Sequence, residues 1–366
     1  MSSLSESLKK ACQVNEYHLD PIVKVDRLSY MRFSRKDLDK AIQFFENFGL
    51  QLSSRNEDLA YLRGKDCHTY AVIVEKSEQP LSIIGLSVNS MEELELLAQR
   101  FSLAINERQD GLGGYFVLLH DPENNPIEVN YGLKRLPQLH SYAFSSEHNF
   151  KANVLDKTPR INQMVRPELM PSPVLKIGHT VLGVKNIKST IHWYQETLGF
   201  MVSDFQMLTG ETLPSVAFMR CDKGETASDH HTLAIASALD KGHLHTAFEV
   251  ADIDKIAMGQ AWLKEKGYRH SWGIGRHILG SQIFDYWRDP WGYQFEHYCD
   301  GDVFNDTVDT GYSLFSAQSI HQWGPDINKD MLGNKLSLSL LYRVFKDLFS
   351  SADLSVKRLM KLIKAT

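Results

Sequence analysis

The sequence has few cysteines and no segment that would direct the protein out of the cytoplasm. Its four cysteines are too far apart for a zinc motif or a disulfide framework, so reduced thiols are expected. No apolar run is long enough to span a bilayer, and the first residues lack the apolar core of a signal peptide. The net charge of −5 excludes a general attraction to nucleic acid or anionic membranes. We therefore predict a cytoplasmic protein that binds neither nucleic acid nor a membrane.

The length of 366 residues predicts two domains, on an expectation of about 150 residues for each. Hydrophobic residues make up 43% of the chain and charged residues 23%, which is ordinary for a protein with a sizeable core. Histidine is unevenly distributed, because nine of the fifteen histidines fall between residues 179 and 297. Metal or acid–base chemistry is therefore expected in the second half.

An internal repeat relates the two halves. The segment 37–50 resembles the segment 186–200, and both read as amphipathic helices that end at a glycine. The strand and helix patterns of 83–97 and 245–263 form a second pair, and the Asp-Pro turns at Asp121 and Asp289 form a third. In both turns a glutamate follows the aspartate by seven residues. The repeat predicts an α+β fold of four βαβββ modules, two per domain, in two curved mixed sheets.

The remaining segments set the predicted boundaries. We expect an N-terminal extension over 1–24, a first domain over 25–135, a proline-rich linker over 136–174 and a second domain over 175–305. Residues 306–366 are predicted to form a loop and a helical extension, because 336–363 has apolar residues at helical spacing with basic residues between them. That helix is expected to pack on its own chain or on a sister subunit, which favours a homo-oligomer, although a basic amphipathic helix can also bind a membrane surface.

Three side chains in the second half have the character of metal ligands. His179, His245 and Glu296 each lie in a strand-like segment, and side chains alternate between the faces of a strand. Three such strands side by side would point two imidazoles and a carboxylate into one space, as in non-haem Fe(II) sites that activate oxygen. The first half has Tyr30 and Ile83 where the histidines would be, and it keeps only the carboxylate. We therefore expect no metal there.

The segment Gly275–Glu296 resembles the signature of type I extradiol ring-cleavage dioxygenases, which belong to the vicinal oxygen chelate, or glyoxalase–bleomycin resistance, superfamily. The matching positions are His277, Tyr286, Asp289, Pro290, Gly292 and Glu296. Asp285 departs from the pattern, since an apolar residue is usual there. It is expected either to form a surface salt bridge or to touch a polar substituent of the substrate.

The resemblance implies an Fe(II)-dependent dioxygenase that uses O₂ to cleave a catechol-type aromatic, with Mn(II) as a possible replacement for iron. It makes His179, His245 and Glu296 the ligands, and His277 and Tyr286 the pair that faces the substrate. It places an acid–base histidine about fifteen residues before the second ligand, which leads to His230. The adjacent His231 is expected on the opposite face of an extended segment.

Three other functions remain open at this point. A glyoxalase-like isomerase or lyase would need a further carboxylate or histidine from another module, where this chain has Tyr30 and Ile83. A 4-hydroxyphenylpyruvate-type dioxygenase also uses two histidines and a glutamate, but the segment around Tyr286 does not favour it. A metal-free binding protein of the drug-resistance type would have no need for the complete set of ligands.

Overall fold

The computed structural model describes residues 3–66, 68–139, 160–162, 164, 166, 168–238, 241–328, 330–331, 353, 358 and 360–361. Most of the predicted linker and most of the predicted helix over 336–363 lie outside the described residues. Within them, no helix is long and apolar enough to cross a membrane. Three of the four cysteines are described, and none of these three is in a disulfide.

The first half forms an eight-stranded mixed sheet with two helices. Its strands are β1 (Arg27–Arg35), β2 (Gln51–Arg55), β3 (Leu59–Arg63), β4 (Val72–Lys76), β5 (Ser82–Ser87), β6 (Asn106–Glu107), β7 (Tyr115–His120) and β8 (Pro126–Tyr131). Their order in the sheet is β2-β3-β4-β1-β5-β8-β7-β6. Helix α1 (Ser3–Ala11) precedes the sheet, α2 (Leu38–Asn47) follows β1, and α3 (Met91–Phe101) follows β5.

The second half forms a ten-stranded mixed sheet with helices α4 (Ile187–Leu198) and α5 (Ile253–Glu265). Its strands are β9 (Lys176–Val184), β10 (Phe200–Met207), β11 (Pro214–Cys221), β13 (Leu233–Ser237), β14 (Gly242–Glu249), β15 (Arg269–His277), β16 (Ile283–Arg288), β17 (Gln294–Cys299), β19 (Gly311–Leu314) and β20 (His321–Trp323). Their order is β19-β10-β11-β13-β9-β14-β17-β16-β15-β20. Two short strands, β12 (Ser228–Asp229) and β18 (Val303–Phe304), pair separately.

The chain order confirms the predicted fold of four βαβββ modules. Three of the module helices show local signals at one end. Asp37 caps α2 by accepting from the backbone N–H of Lys40, and Ser90 and Glu93 form a capping box at the start of α3. Helix α4 ends at Gly199, whose φ of 68° is a left-handed conformation that glycine adopts without a side-chain clash.

Strand register confirms how the repeat aligns the two halves. In the second half Ala247 pairs with both His179 and Glu296, and in the first half Gly85 pairs with both Tyr30 and Glu128. Tyr30 therefore has the position of His179, and Glu128 has that of Glu296. Two residues further along, Ile83 lies opposite Arg32 just as His245 lies opposite Val181. The repeat thus extends to the position of each predicted ligand.

The two halves share one core. Phe295, on β17, is fully buried and its ring meets rings of the first half, with centroid distances of 5.4 Å to Phe33 and 5.1 Å to Phe45. A buried ion pair lies at the same junction, where Arg35 Nε donates to Asp289 Oδ2 at 2.9 Å. The other oxygen of Asp289 accepts from the backbone N–H groups of Trp291 and Tyr293. The Asp-Pro turn is therefore fixed by its own backbone and by the other half.

The predicted C-terminal loop differs from what the structure places there. Strand β19 pairs in parallel with β10 and β20 pairs with β15, so residues after 305 cover both edges of the second sheet. Helix α1 packs on β19. An uncovered edge exposes unpaired backbone groups, and a short added strand satisfies them. The second sheet thus extends to residue 323, beyond the boundary predicted at 305.

Candidate metal centre

Three strands bring the predicted ligands together. His179 on β9, His245 on β14 and Glu296 on β17 each offer one ligand atom, and these atoms lie within 4.8 Å of one another. The Nε2 atoms of both histidines are 3.3 Å from Glu296 Oε2. The strands are neighbours in the sheet, in the order β9-β14-β17, so alternation along each strand directs all three side chains to one face.

The ligand atoms are buried and lack the partners that buried polar atoms normally have. Neither carboxylate oxygen of Glu296 has a hydrogen-bond partner among the described residues, and neither has Nε2 of His245. Burial alone would raise the pKa of Glu296, but the two imidazoles hold it well below its usual range. Burial also lowers the pKa of His179. An ionised carboxylate beside neutral imidazoles is the donor set that a divalent metal requires, so the residues fit a metal ion.

His277 and Tyr286 lie beside this cluster. His277 Nδ1 is 2.9 Å from the backbone carbonyl of Ile320, so Nδ1 carries the proton and donates it. Nε2 then accepts from the Tyr286 hydroxyl at 3.0 Å, and it lies 3.9 Å from Glu296 Oε1. Burial lowers the pKa of His277 to about 4, and burial followed by the nearby Glu296 raises that of Tyr286 well above 10. The imidazole is thus neutral and the phenol keeps its proton.

The structure places His231, and not His230, next to the ligands. The ring centroids of His231 and His179 are 4.0 Å apart. Burial, together with His179 and three further histidines, holds the pKa of His231 well below its usual range. His230 is directed away, with Nε2 2.7 Å from Asp204 and Nδ1 2.9 Å from His231 Nδ1. The expectation that His231 would turn away from the site is therefore wrong in this geometry.

The reason is a break in the strand. Residues 228 and 229 belong to β12, which pairs with β18, whereas β13 of the large sheet begins at Leu233. Residues 230–232 connect the two sheets and belong to neither strand, so the face of His230 or His231 cannot be counted from β12 or from β13. A count of strand positions through this segment cannot assign faces. The pair of adjacent histidines marked the segment, but no motif marked Asp204.

Asp285 does not form the expected surface salt bridge. The side chain is fully buried and points to the face of β16 opposite Tyr286, towards α5. It accepts from His270 Nε2 at 2.7 Å, from Gln260 at 3.0 Å and from the Trp287 indole at 2.6 Å. Burial raises its pKa, while His270 opposes the shift. Asp285 is therefore a buried hydrogen-bond acceptor between sheet and helix and not a surface ion pair.

The equivalent place in the first half contains a guanidinium. Arg108 contacts Glu128 and the hydroxyl of Tyr30, and its Nε donates to Asn130 at 2.8 Å. Strand register gives Arg108 the position of His277, because Glu107 pairs with Tyr115 as Arg276 pairs with Ile283. The positive charge that a metal would bring next to Glu128 is supplied by this arginine.

The chain is similar to known proteins. The family model described as "Glyoxalase/Bleomycin resistance protein/Dioxygenase superfamily" matches residues 176–297. This range lies in the second half of the chain and contains all three candidate ligands. Metapyrocatechase 2 of Cupriavidus necator is 27% identical over 309 residues, 81% of this chain and 88% of that protein. Biphenyl-2,3-diol 1,2-dioxygenase of Metapseudomonas furukawaii is 30% identical over 317 residues, 82% of this chain and 94% of that protein.

A solved structure shares the fold. The crystal structure of homoprotocatechuate 2,3-dioxygenase from Arthrobacter globiformis superimposes with a TM-score of 0.70 at 17% sequence identity. The match covers 88% of this chain and 96% of that one, so it includes both halves and all four modules.

Proposed function

We propose that this chain, which belongs to the extradiol ring-cleavage dioxygenases of the glyoxalase/bleomycin resistance/dioxygenase superfamily, is an Fe(II) enzyme. Its reaction would be the cleavage of a catechol-type aromatic next to the two hydroxyl groups. The observation that carries the proposal is the convergence of His179, His245 and Glu296, whose ligand atoms lie within 4.8 Å of one another. Two histidines and one carboxylate on one side, with open positions opposite, are typical of non-haem Fe(II) oxygenases.

The three ligands would hold the metal. Fe(II) bound there would supply adjacent positions for a catechol and for O₂, which brings the two reactants together and couples them electronically. Mn(II) accepts the same oxygen and nitrogen ligands and is the alternative ion. Two neutral imidazoles and one carboxylate leave a divalent ion with residual positive charge, and this charge favours a catechol that has lost a proton.

His277 and Tyr286 would bind and orient the substrate. The Tyr286 phenol keeps its proton, because burial and the nearby Glu296 raise its pKa. It is therefore a hydrogen-bond donor for an ionised substrate oxygen. The carbonyl of Ile320 fixes the tautomer of His277 and leaves Nε2 as an acceptor for a substrate hydroxyl. One donor and one acceptor side by side would determine which of the two oxygens is ionised.

His231 is our candidate for the acid–base role, in place of His230. Its ring lies against His179, whereas that of His230 lies against Asp204. Ring cleavage requires a group that moves protons beside the reacting oxygen atoms, and a neutral imidazole suits this role. Burial, and after it the neighbouring histidines, lowers the pKa of His231, so the ring is neutral and able to accept a proton.

The first test addresses the metal and the reaction. Protein purified without air should contain one equivalent of iron and should convert substituted catechols to yellow ring-opened products. His245→Ala should abolish iron binding and turnover while the fold stays intact, because the side chain lies in the site and not in the apolar core. His120→Ala, an exposed histidine on β7, is the matched control and should keep both. Full iron content and turnover in His245→Ala would contradict the proposal.

The second test addresses the acid–base residue. His231→Ala should keep its iron and its anaerobic affinity for catechol, but turnover should fall by roughly 10²–10⁴-fold, the usual contribution of general acid–base catalysis. Normal oxygen-dependent turnover in His231→Ala would remove this residue from the mechanism and leave the metal assignment standing.

A further inference from the structure

A buried chain of hydrogen bonds leads from His231 away from the metal centre. His231 Nδ1 is 2.9 Å from His230 Nδ1, and His230 Nε2 is 2.7 Å from Asp204 Oδ2. His230 is 1% exposed, so its ring has no alternative partner in bulk water. The three side chains come from β10 and from the crossing between β12 and β13. These hydrogen bonds therefore connect Asp204, a carboxylate outside the ligand cluster, to His231, whose ring contacts the ligand His179.

The ring of His230 is held from several sides. The backbone N–H of His230 donates to the carbonyl of Asp302 at 2.8 Å, and its carbonyl accepts from Ser203 Oγ at 2.6 Å. The ring packs on Phe218 and Phe304, with centroid distances of 5.7 and 5.2 Å. Because the backbone is hydrogen-bonded on both sides and two aromatic rings pack against the imidazole, the two ring nitrogens keep their partners.

The partners determine where the protons are. An ionised carboxylate only accepts hydrogen bonds, so Nε2 of His230 carries a proton and donates it to Asp204. In a neutral His230 the other nitrogen, Nδ1, is then an acceptor. The proton between the two Nδ1 atoms consequently belongs to His231. Neutral His231 thus has Nδ1–H, and its Nε2 has a free lone pair.

The second sheet leaves space for the carboxylate of Asp204, at one end of these hydrogen bonds. Asp204 on β10 pairs with Gly311 on β19. A Cβ atom at Gly311 would lie 2.0 Å from Asp204 Oδ1, so any side chain there would displace the carboxylate. This glycine is required by a neighbouring side chain and not by its own backbone conformation, which is that of an ordinary strand.

We propose that Asp204 and His230 are positioning residues that hold His231 in the Nδ1–H tautomer, so that its Nε2 can accept a proton in the dioxygenase reaction. The inference rests on the proposed function for its chemical purpose, but the tautomer itself is a property of the protein. In Ser-His-Asp enzymes a buried aspartate fixes a catalytic imidazole in the same manner, and the isosteric asparagine variant loses activity because the tautomer is wrong. Here a second imidazole lies between the carboxylate and the catalytic ring.

The kinetic test is Asp204→Asn in the iron-loaded protein. The amide can donate to His230 Nε2, which reverses the tautomers of both histidines and leaves His231 with a proton on Nε2. We expect kcat to fall by roughly 10²–10⁴-fold while the anaerobic Kd for catechol stays unchanged. Gly311→Ala should act in the same direction with all three side chains chemically intact. Asp222→Asn, which removes a carboxylate that pairs with Lys24, is the control and should keep wild-type kcat.

A second measurement does not depend on turnover. In full-length protein loaded with diamagnetic Zn(II) and labelled with ¹⁵N-histidine, the NMR signals of His231 are identified by their loss in His231→Gln. We expect a protonated Nδ1 in the wild type and a protonated Nε2 in Asp204→Asn. A wild-type His231 protonated at Nε2, or the same tautomer in both proteins, would overturn the inference. So would wild-type kcat in Asp204→Asn, and neither result would affect the metal ligands or the proposed reaction.

Discussion

The buried ion pair between Arg35 and Asp289 allows a quantitative test of how the two halves are joined. The side chains are 2% and 1% exposed, so neither charge has water as an alternative partner. Replacing Arg35 with Met keeps most of the apolar stem but leaves Asp289 Oδ2 without its cation. Removal of one partner of a buried pair costs about 3–5 kcal/mol. We therefore expect the free energy of unfolding of Arg35→Met to fall by about this amount.

The pH dependence of this loss has a definite sign. Burial raises the pKa of Asp289 above its ordinary value, and Arg35 opposes that shift. At a pH between the pKa of Asp289 in the unfolded state and its higher pKa in the native state, the native state binds a proton that the unfolded state lacks. The free energy of unfolding therefore falls as the pH rises through this window. Without Arg35 the native pKa rises further and the window widens. The loss in Arg35→Met should thus be larger at a pH of about 7.5 than at about 5.

Urea unfolding followed by tryptophan fluorescence measures both effects. The control is Arg55→Met, because the ion pair of Arg55 with Asp39 is exposed and such pairs contribute only about 0–1 kcal/mol. The double variant Arg35→Met/Asp289→Asn should be more stable than Arg35→Met, since it buries no unpaired charge. The reasoning is refuted if Arg35→Met loses no more stability than Arg55→Met, or if the double variant is the less stable of the two.

Two further predictions concern carboxylates outside the metal centre. Glu128→Gln should leave iron content and turnover unchanged but lower the free energy of unfolding, because it leaves the buried Arg108 without its main carboxylate. Two metal equivalents in the wild type, with one lost in this variant, would show a second site. Asp285→Asn should destabilise the protein by about 1–3 kcal/mol, because the amide keeps one acceptor oxygen and loses the bond either to His270 or to Trp287, with an unchanged Kd for catechol in anaerobic titration. A changed Kd across substituted catechols would instead connect Asp285 to the substrate.

The sequence was sufficient for the modules and for the set of convergent side chains. Alternation within single strands holds at the ligand positions of β9, β14 and β17. The β14–β17 ladder keeps one register, and the β9–β14 ladder shifts only on either side of the stretch from His245 to Ala247. The repeat then assigned Tyr30 and Ile83 to the positions of the two histidines, and strand register agrees. These inferences depend only on local periodicity and on the similarity of two segments, both of which can be read from one chain.

The remaining features depend on contacts between distant segments. The face of His231 is set by a crossing between two sheets, and nothing within residues 228–233 predicts that β12 pairs with β18. The environment of Asp285 is set by Gln260 and His270, which reach it from α5 and β15. A charged residue at a usually apolar position signalled something unusual, but its partners lie 15 and 25 residues away along the chain.

The guanidinium of Arg108 has a consequence for how this duplicated chain can change. Substituting histidine for Tyr30 and Ile83 would restore the two missing ligands beside Glu128, yet the arginine would still neutralise that carboxylate and repel a divalent ion. Removing the arginine first would leave the buried Glu128 with only the more distant Arg32, 3.8 Å away, which costs stability before any metal can bind. Every single-substitution path towards a second metal site therefore passes through an unfavourable intermediate. The division of labour between the two halves is in this sense hard to reverse.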